Sequence, residues 1–108
     1  MNTHDLKDFL IEIESELRRL GLLTGPLQPA QVVRSAFGSG EMPFEDWLVK
    51  VFLPRAYEAA ATDAWPPQSQ VGIAAIRNFD GQEAYEPLVD LLCEFDQAIV
   101  AHAMGKSQ

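Results

Sequence analysis

The first part of the chain places apolar residues at every third or fourth position. Residues with this spacing lie on one face of an α-helix. They are Leu6, Phe9, Leu10, Ile13, Leu17 and Leu20. Thr3 suits the N-cap position, and Gly21 is a residue type at which helices commonly end. The pattern predicts an amphipathic helix of about five turns.

A second helical pattern starts at Pro43 or Phe44 and continues to about Thr62. One face of it carries Trp47, Leu48, Val51, Phe52 and Arg55. Pro54 interrupts this pattern, because proline has no N–H to donate to the carbonyl of Lys50. Helix-favouring residues continue beyond the proline. We therefore predict one long helix with a kink rather than two separate helices.

Two more helical segments follow the break at residues 64–69. Ser69 can cap a short third helix that ends at residues 80–81. A fourth helix is predicted to start between Glu83 and Pro87 and to end at Gly105. Its apolar stripe consists of Leu88, Leu91, Leu92, Phe95, Ala98, Ile99 and His102.

Residues 22–42 connect the first two long helices, and glycine and proline break this segment at short intervals. There is room for a helical turn between Pro29 and Phe37. The segment is expected to pack across the end of the helices through Leu22, Leu23, Val32, Val33 and Phe37. No segment alternates as a strand does. The sequence therefore predicts an all-α, single-domain four-helix bundle over residues 1–108, with a kinked second long helix and a structured crossover after the first helix.

The charge of the chain limits its partners. Sixteen acidic residues against eight basic ones give a formal net charge of −8, and the basic residues are scattered. Binding to nucleic acid is therefore not expected, since it normally needs a concentrated basic patch. No apolar run approaches the roughly 18 residues that span a bilayer, and the first residues do not resemble a secretory signal. We expect a cytoplasmic protein that does not bind membranes.

Residues that could carry chemistry are few. Neither histidine follows a glutamate in the Glu-x-x-His spacing of di-iron bundles. Cys93 stands alone among apolar neighbours, which is typical of a buried thiol. The Gly-Ser-Gly at 38–40 lacks the lysine of a phosphate-binding loop. The sequence thus predicts no catalytic residue, no metal and no cofactor, and it does not favour an enzyme.

The segment Trp-Leu-Val-Lys-Val-Phe-Leu-Pro-Arg at residues 47–55 resembles the signature of the YqcC-like family of small bacterial proteins. The resemblance extends back to Phe37 and forward to residues 91–96, and so covers nearly the whole chain. It implies an all-α bundle of bacterial origin with no established biochemical activity and no assigned catalytic residues. Residues 38–41 are richer in glycine than the family pattern.

Arg55 has two interpretations. Its stem could cover apolar surface while its guanidinium reaches water or pairs with a carboxylate. Asp96 on the last helix is the preferred partner if the two helices are neighbours. Alternatively, Arg55 lines a cleft and presents its guanidinium to an anionic ligand or to a carboxylate of a partner. Trp47, Phe52, Tyr57 and Trp65 could likewise belong to the core or to the wall of a pocket near the Pro54 kink.

These observations leave the function unknown and favour a small acidic module for binding or protein interaction. Its surface would surround the Trp47–Arg55 helix. The candidate residues for this surface are Trp47, Phe52, Arg55, Trp65 and Asp96. Its partner would be a protein or a small anionic molecule, and a homodimer is a variant of this hypothesis. The alternative is a small-molecule-binding protein or a small enzyme with a cleft near Pro54.

Overall fold

The computed structural model describes residues 3–35, 37 and 40–106, and every regular element in these ranges is helical. The helices are α1 (Thr3–Arg19), α2 (residues 44–62), α3 (Val71–Asn78) and α4 (Glu86–Lys106). A 3-10 turn at Glu83–Tyr85 precedes α4. The predicted all-α four-helix bundle is confirmed. No helix within the described residues has both the length and the apolar character needed to cross a membrane.

Helix α4 packs against both α1 and α3. The core forms where the predicted apolar stripes of α1 and α4 meet. Most stripe residues are fully buried: Leu6, Leu10, Ile13, Leu17, Leu88, Leu92 and Ile99. Phe95 and Ala98 are also buried in this cluster, which extends to α2 and α3. Burying one leucine stabilises the fold by about 1.5–3 kcal/mol. The periodicity of these two helices therefore accounts for much of the bundle.

Helix α2 is continuous but not uniform. It begins as an α-helical turn at Phe44–Trp47, widens to a π-helical segment at Leu48–Phe52, and returns to α-helix at Leu53–Thr62. In the wide segment the N–H of Leu53 donates to the carbonyl of Leu48, five residues back. The predicted single interrupted helix is thus observed, and the π-helical segment before Pro54 is the form that the interruption takes.

The interruption at Pro54 is coupled to the crossover. An α-helix would pair the carbonyl of Lys50 with the N–H of residue 54, which proline lacks. The backbone N–H of Gln31 donates to this carbonyl instead, at 2.9 Å. A helix carbonyl that has lost its donor four residues ahead is commonly satisfied by another part of the chain or by water. The crossover therefore completes the hydrogen bonding of α2.

The crossover differs from its prediction in two respects. Residues 29–35 form no helical turn, and Ala36 lies outside the described residues together with the glycine-rich positions 38 and 39. Val32, predicted to pack on the helices, is 88% exposed. Leu23 is buried, and Leu22 and Phe37 are partly buried against the core as predicted. Val33 is half-buried.

The missing turn has a physical cause. The carboxylate oxygen Oε1 of Glu41 accepts hydrogen bonds from the backbone N–H groups of Arg34 at 2.8 Å and Ser35 at 3.1 Å. The N–H of Gln31 is bonded to Lys50. These donors are therefore bonded to partners outside the local chain, and a helical turn would gain little by recruiting them.

Helices α3 and α4 are in close contact at Gly72. A Cβ atom at this position would lie 2.6 Å from Cα and 2.8 Å from Sγ of Cys93. Gly72 itself is buried, whereas Cys93 is half-buried and not buried as predicted. The absence of a side chain at Gly72 allows the two helix backbones to touch.

We predict that Gly72→Ala lowers the free energy of unfolding by about 1–3 kcal/mol, because the added methyl would meet the backbone of α4 and force the helices apart. Gly105→Ala is the matched control, since a Cβ there meets nothing within 4 Å. The control should change the free energy by less than about 1 kcal/mol, in the stabilising direction expected for alanine in a helix. Urea unfolding followed by circular dichroism measures both. Equal stability of Gly72→Ala and wild type would contradict the close contact.

Candidate functional site

A pocket of about 190 Å³ lies beside α2. All three parts of α2, the link between α2 and α3, and α4 contribute to its wall. The lining residues are Trp47, Phe52, Arg55, Ala56, Ala59, Trp65, Pro66, Gln68, Ser69 and Phe95. The rim carries the exposed residues Arg55, Pro66 and Gln68. Four of the five residues predicted as a binding surface therefore lie around one pocket, which is the arrangement expected if Arg55 lines a cleft.

Four aromatic rings line the pocket. Trp47 and Phe52 are stacked with ring centroids 5.8 Å apart, and Phe52 meets Phe95 edge-on at 5.6 Å. Trp65 packs edge-on against the same Phe95 at 6.2 Å. Such offset and edge-to-face pairs are favourable geometries worth about 0.5–1.5 kcal/mol each beyond their burial. The wall is therefore apolar and held in place by its own contacts.

The π-helical segment explains the stacked pair in this wall. Residues five apart point in different directions on an α-helix, where only residues three or four apart are neighbours. Trp47 and Phe52 are five apart, and the π-helical segment between them has i to i+5 hydrogen bonds. The wider turn brings the two rings onto one face. The sequence pattern alone placed them together without identifying this cause.

The preferred pairing of Arg55 with Asp96 was wrong. Arg55 is exposed at the pocket rim, and no carboxylate of the described residues forms an ion pair with it. Asp96 faces the neighbouring element instead, where it accepts hydrogen bonds from the hydroxyl of Ser69 at 2.5 Å and from the backbone N–H of Gly72 at 2.8 Å. The first turn of α3 has unpaired N–H groups, and these attract the carboxylate.

Asp96 thereby performs the capping role that the sequence assigned to Ser69. The residue at the N-cap position of α3 is Gln70, and it makes no side-chain capping hydrogen bond. Burial raises the pKa of Asp96 above its usual range, although the hydrogen bonds from Ser69, Gly72 and Val71 act in the opposite direction. Asp96 is thus a structural link between α4 and α3.

Asp96 lines a shallower groove next to the pocket, of about 460 Å³, and Ser69 borders both. The groove also contains Ile73, Cys93, Gln97 and Val100. Burial raises the pKa of the Cys93 thiol, and the carboxylates of Asp96, Asp90 and Glu94 raise it further. A thiol with a raised pKa is a poor nucleophile at neutral pH.

Within the described part of the chain, two side chains have buried nitrogen atoms without a hydrogen-bond partner. One is the indole Nε1 of Trp65, a pocket residue. The other is His102 in α4, whose ring nitrogens Nδ1 and Nε2 both lack a hydrogen bond. Its Nε2 lies 3.8 Å from Oδ1 of Asp63. Buried polar groups are usually hydrogen-bonded, so each such atom requires an explanation.

The residues that sequence reasoning missed are of two kinds. Ala56 and Ala59 make room for the pocket because their side chains are small. Pro66, Gln68 and Ser69 come from the link after α2, which the sequence predicted only as a break and, at Ser69, as a helix cap. Tyr57, an alternative wall residue, instead donates its hydroxyl to Glu14 of α1 at 2.7 Å. No cluster of three or more potential metal ligands occurs in the described residues.

Comparison with known proteins gives one match. The family model DUF446, described as tRNA pseudouridine synthase C, matches residues 5–98. The chain belongs to this family. The matched range of the DUF446 chain includes every pocket residue. Neither the comparison with curated proteins nor that with solved structures gave a match.

We predict that Asp96→Ala destabilises the DUF446 chain by about 1–2 kcal/mol, because the hydroxyl of Ser69 and the N–H of Gly72 lose their acceptor. Asp96→Asn keeps an acceptor oxygen and should cost less. Thermal or urea unfolding measures both variants, and equal stabilities of the alanine variant and wild type would contradict the interhelical cap.

The difference in stability between wild type and Asp96→Asn should also depend on pH. Because the pKa of Asp96 is raised in the folded state, the folded protein binds a proton at Asp96 more tightly than the unfolded chain does. The stability that this proton contributes is lost as pH rises through the raised pKa. The stability of wild type relative to Asp96→Asn should therefore fall as pH rises above 3.8, the ordinary aspartate value. A relative stability that rises with pH would show that the hydrogen bonds outweigh burial.

Proposed function

We propose that this chain is a non-enzymatic binding domain that anchors one apolar side chain of a partner protein in the pocket beside α2. The observation that carries the proposal is the size and lining of the pocket. Its volume of about 190 Å³ exceeds the roughly 150 Å³ of a cavity that admits benzene. It is smaller than the roughly 300–1,000 Å³ typical of pockets for whole small molecules. One buried side chain is the occupant that this volume fits.

The anchor mode agrees with the energetics of protein interfaces. A few residues in well-packed pockets supply most of the binding energy, and aromatic residues are common among them. Trp47, Phe52, Trp65 and Phe95 offer such a surface, and their mutual contacts hold it ready before binding. A rigid site loses little conformational entropy when it is filled.

The charge of the chain supports a partner with a basic surface. A net charge of −8 on 108 residues attracts basic proteins and repels polyanions. The family description names an enzyme that acts on tRNA. The acidic chain would repel the phosphates of tRNA. Under our proposal it would therefore bind an enzyme of that kind rather than the tRNA.

The alternative, a small-molecule-binding protein or a small enzyme with a cleft near Pro54, has less support. An enzyme needs reactive groups that converge on one point. Arg55 and Ser69 are the groups of that kind in the pocket, and the Ser69 hydroxyl proton is donated to Asp96. Cys93 and Asp96 lie in the neighbouring groove.

We also propose that the chain is a cytoplasmic bacterial protein of the YqcC-like type. Residues 47–55 and 91–96, which carry that resemblance, fall within the range matched by the DUF446 model. The acidity and the absence of a membrane-crossing helix among the described residues are compatible with this proposal.

Filling the pocket tests the proposed function. Ala59→Trp puts a large side chain into the pocket, whereas Ala61→Trp puts it on the exposed face of the same helix. A phage-displayed random peptide library is selected on wild type, and each enriched peptide is titrated against both variants by calorimetry. We expect the enriched peptides to share an aromatic or branched apolar residue. Binding should weaken at least about tenfold with Ala59→Trp and remain with Ala61→Trp.

Circular dichroism unfolding of both variants establishes that they remain folded. Failure of the library to enrich any peptide over an empty support would contradict the proposal, as would equal binding by the two variants. Light scattering tests whether the pocket is instead occupied by a second copy of the chain. If wild type self-associates and Ala59→Trp is monomeric, the pocket holds a second copy of the chain rather than a different protein.

A further inference from the structure

Two donor groups at the pocket have no protein partner among the residues that the structure describes. The guanidinium of Arg55 stands at the rim without an ion pair to the described residues. The indole Nε1 of Trp65 is buried without an acceptor. The nearby carboxylate of Asp96 is already bonded to Ser69 and Gly72. The pocket therefore combines an apolar interior with unused donors.

Both groups can only donate. A guanidinium has five N–H donors and no acceptor, and the indole has one N–H donor. The group that satisfies them must consequently be an acceptor, and a carboxylate matches the planar fork of arginine in a bidentate geometry. A bound acceptor would satisfy the buried indole N–H of Trp65, which has no acceptor among the described residues.

We infer that the pocket takes the C-terminal residue of the partner, with its apolar side chain among the aromatic rings and its terminal carboxylate on Arg55. The inference rests on the proposed function and specifies which part of the partner binds. A C-terminal residue carries an apolar side chain and a carboxylate on the same Cα atom. An internal residue offers Arg55 only a neutral carbonyl oxygen, which lacks the charge and the second oxygen that a bidentate contact with arginine uses.

The two tryptophans of the chain provide the readout, because both line the pocket. The probe is a pentapeptide of glycine and serine that ends in phenylalanine, prepared with a free carboxylate and as the C-terminal amide. Each form is titrated to millimolar concentration while tryptophan fluorescence is recorded. We expect the dissociation constant of the free acid to be at least about tenfold lower than that of the amide.

Variants of Arg55 assign the difference to this side chain. Arg55→Gln should weaken binding of the free acid to the level of the amide and leave binding of the amide unchanged. Arg55→Lys should bind the free acid more weakly than wild type and more tightly than Arg55→Gln, since lysine retains the charge without the planar fork of arginine. Because Arg55 is exposed, neither variant should change the unfolding temperature.

The outcomes separate the two proposals. Equal binding of acid and amide would overturn the inference about the C-terminus and leave the anchor pocket standing. The inference also fails if Arg55→Gln preserves the preference for the acid. If neither form binds, and internal peptides from the library do not bind either, both the inference and the proposed function are wrong.

Discussion

The structure depends on a missing hydrogen-bond donor in the middle of a helix. Pro54 cannot donate to the carbonyl of Lys50, and this carbonyl instead accepts the N–H of Gln31 from the crossover. The segment before the proline is π-helical, which widens the turn that the proline ring would otherwise crowd. A residue that usually ends helices therefore joins α2 to the chain that precedes it.

The pocket follows from the same feature. The wide turn places Trp47 and Phe52 on one face, five residues apart, where they stack. After the proline, Ala56 and Ala59 continue along that face with small side chains, and Phe95 closes the pocket from α4. An uninterrupted α-helix would turn Phe52 away from Trp47. The helix irregularity and the binding surface are therefore one structural feature.

Sequence patterns predicted the parts of the fold that depend on local periodicity. The stripe from Leu6 to Leu17 is buried because its repeat is that of an α-helix, and the stripe of α4 is buried for the same reason. The pairing of Arg55 with Asp96 failed because it depends on which donors lie opposite Asp96 in space, and the N–H groups of α3 lie there. The position of Val32 was mispredicted for a similar reason, since Glu41 and Lys50 bind the crossover backbone from outside.

Amide hydrogen exchange at Gln31 tests the central claim most directly. The account requires the N–H of Gln31 to be held by Lys50, whereas the N–H of Val32 next to it has no hydrogen-bond partner among the described residues. Exchange measured by NMR on the wild-type protein should therefore be at least about tenfold slower at Gln31 than at Val32, because a hydrogen-bonded amide exchanges only when it opens. Equal exchange rates at the two positions would show that the crossover does not complete α2 at Pro54.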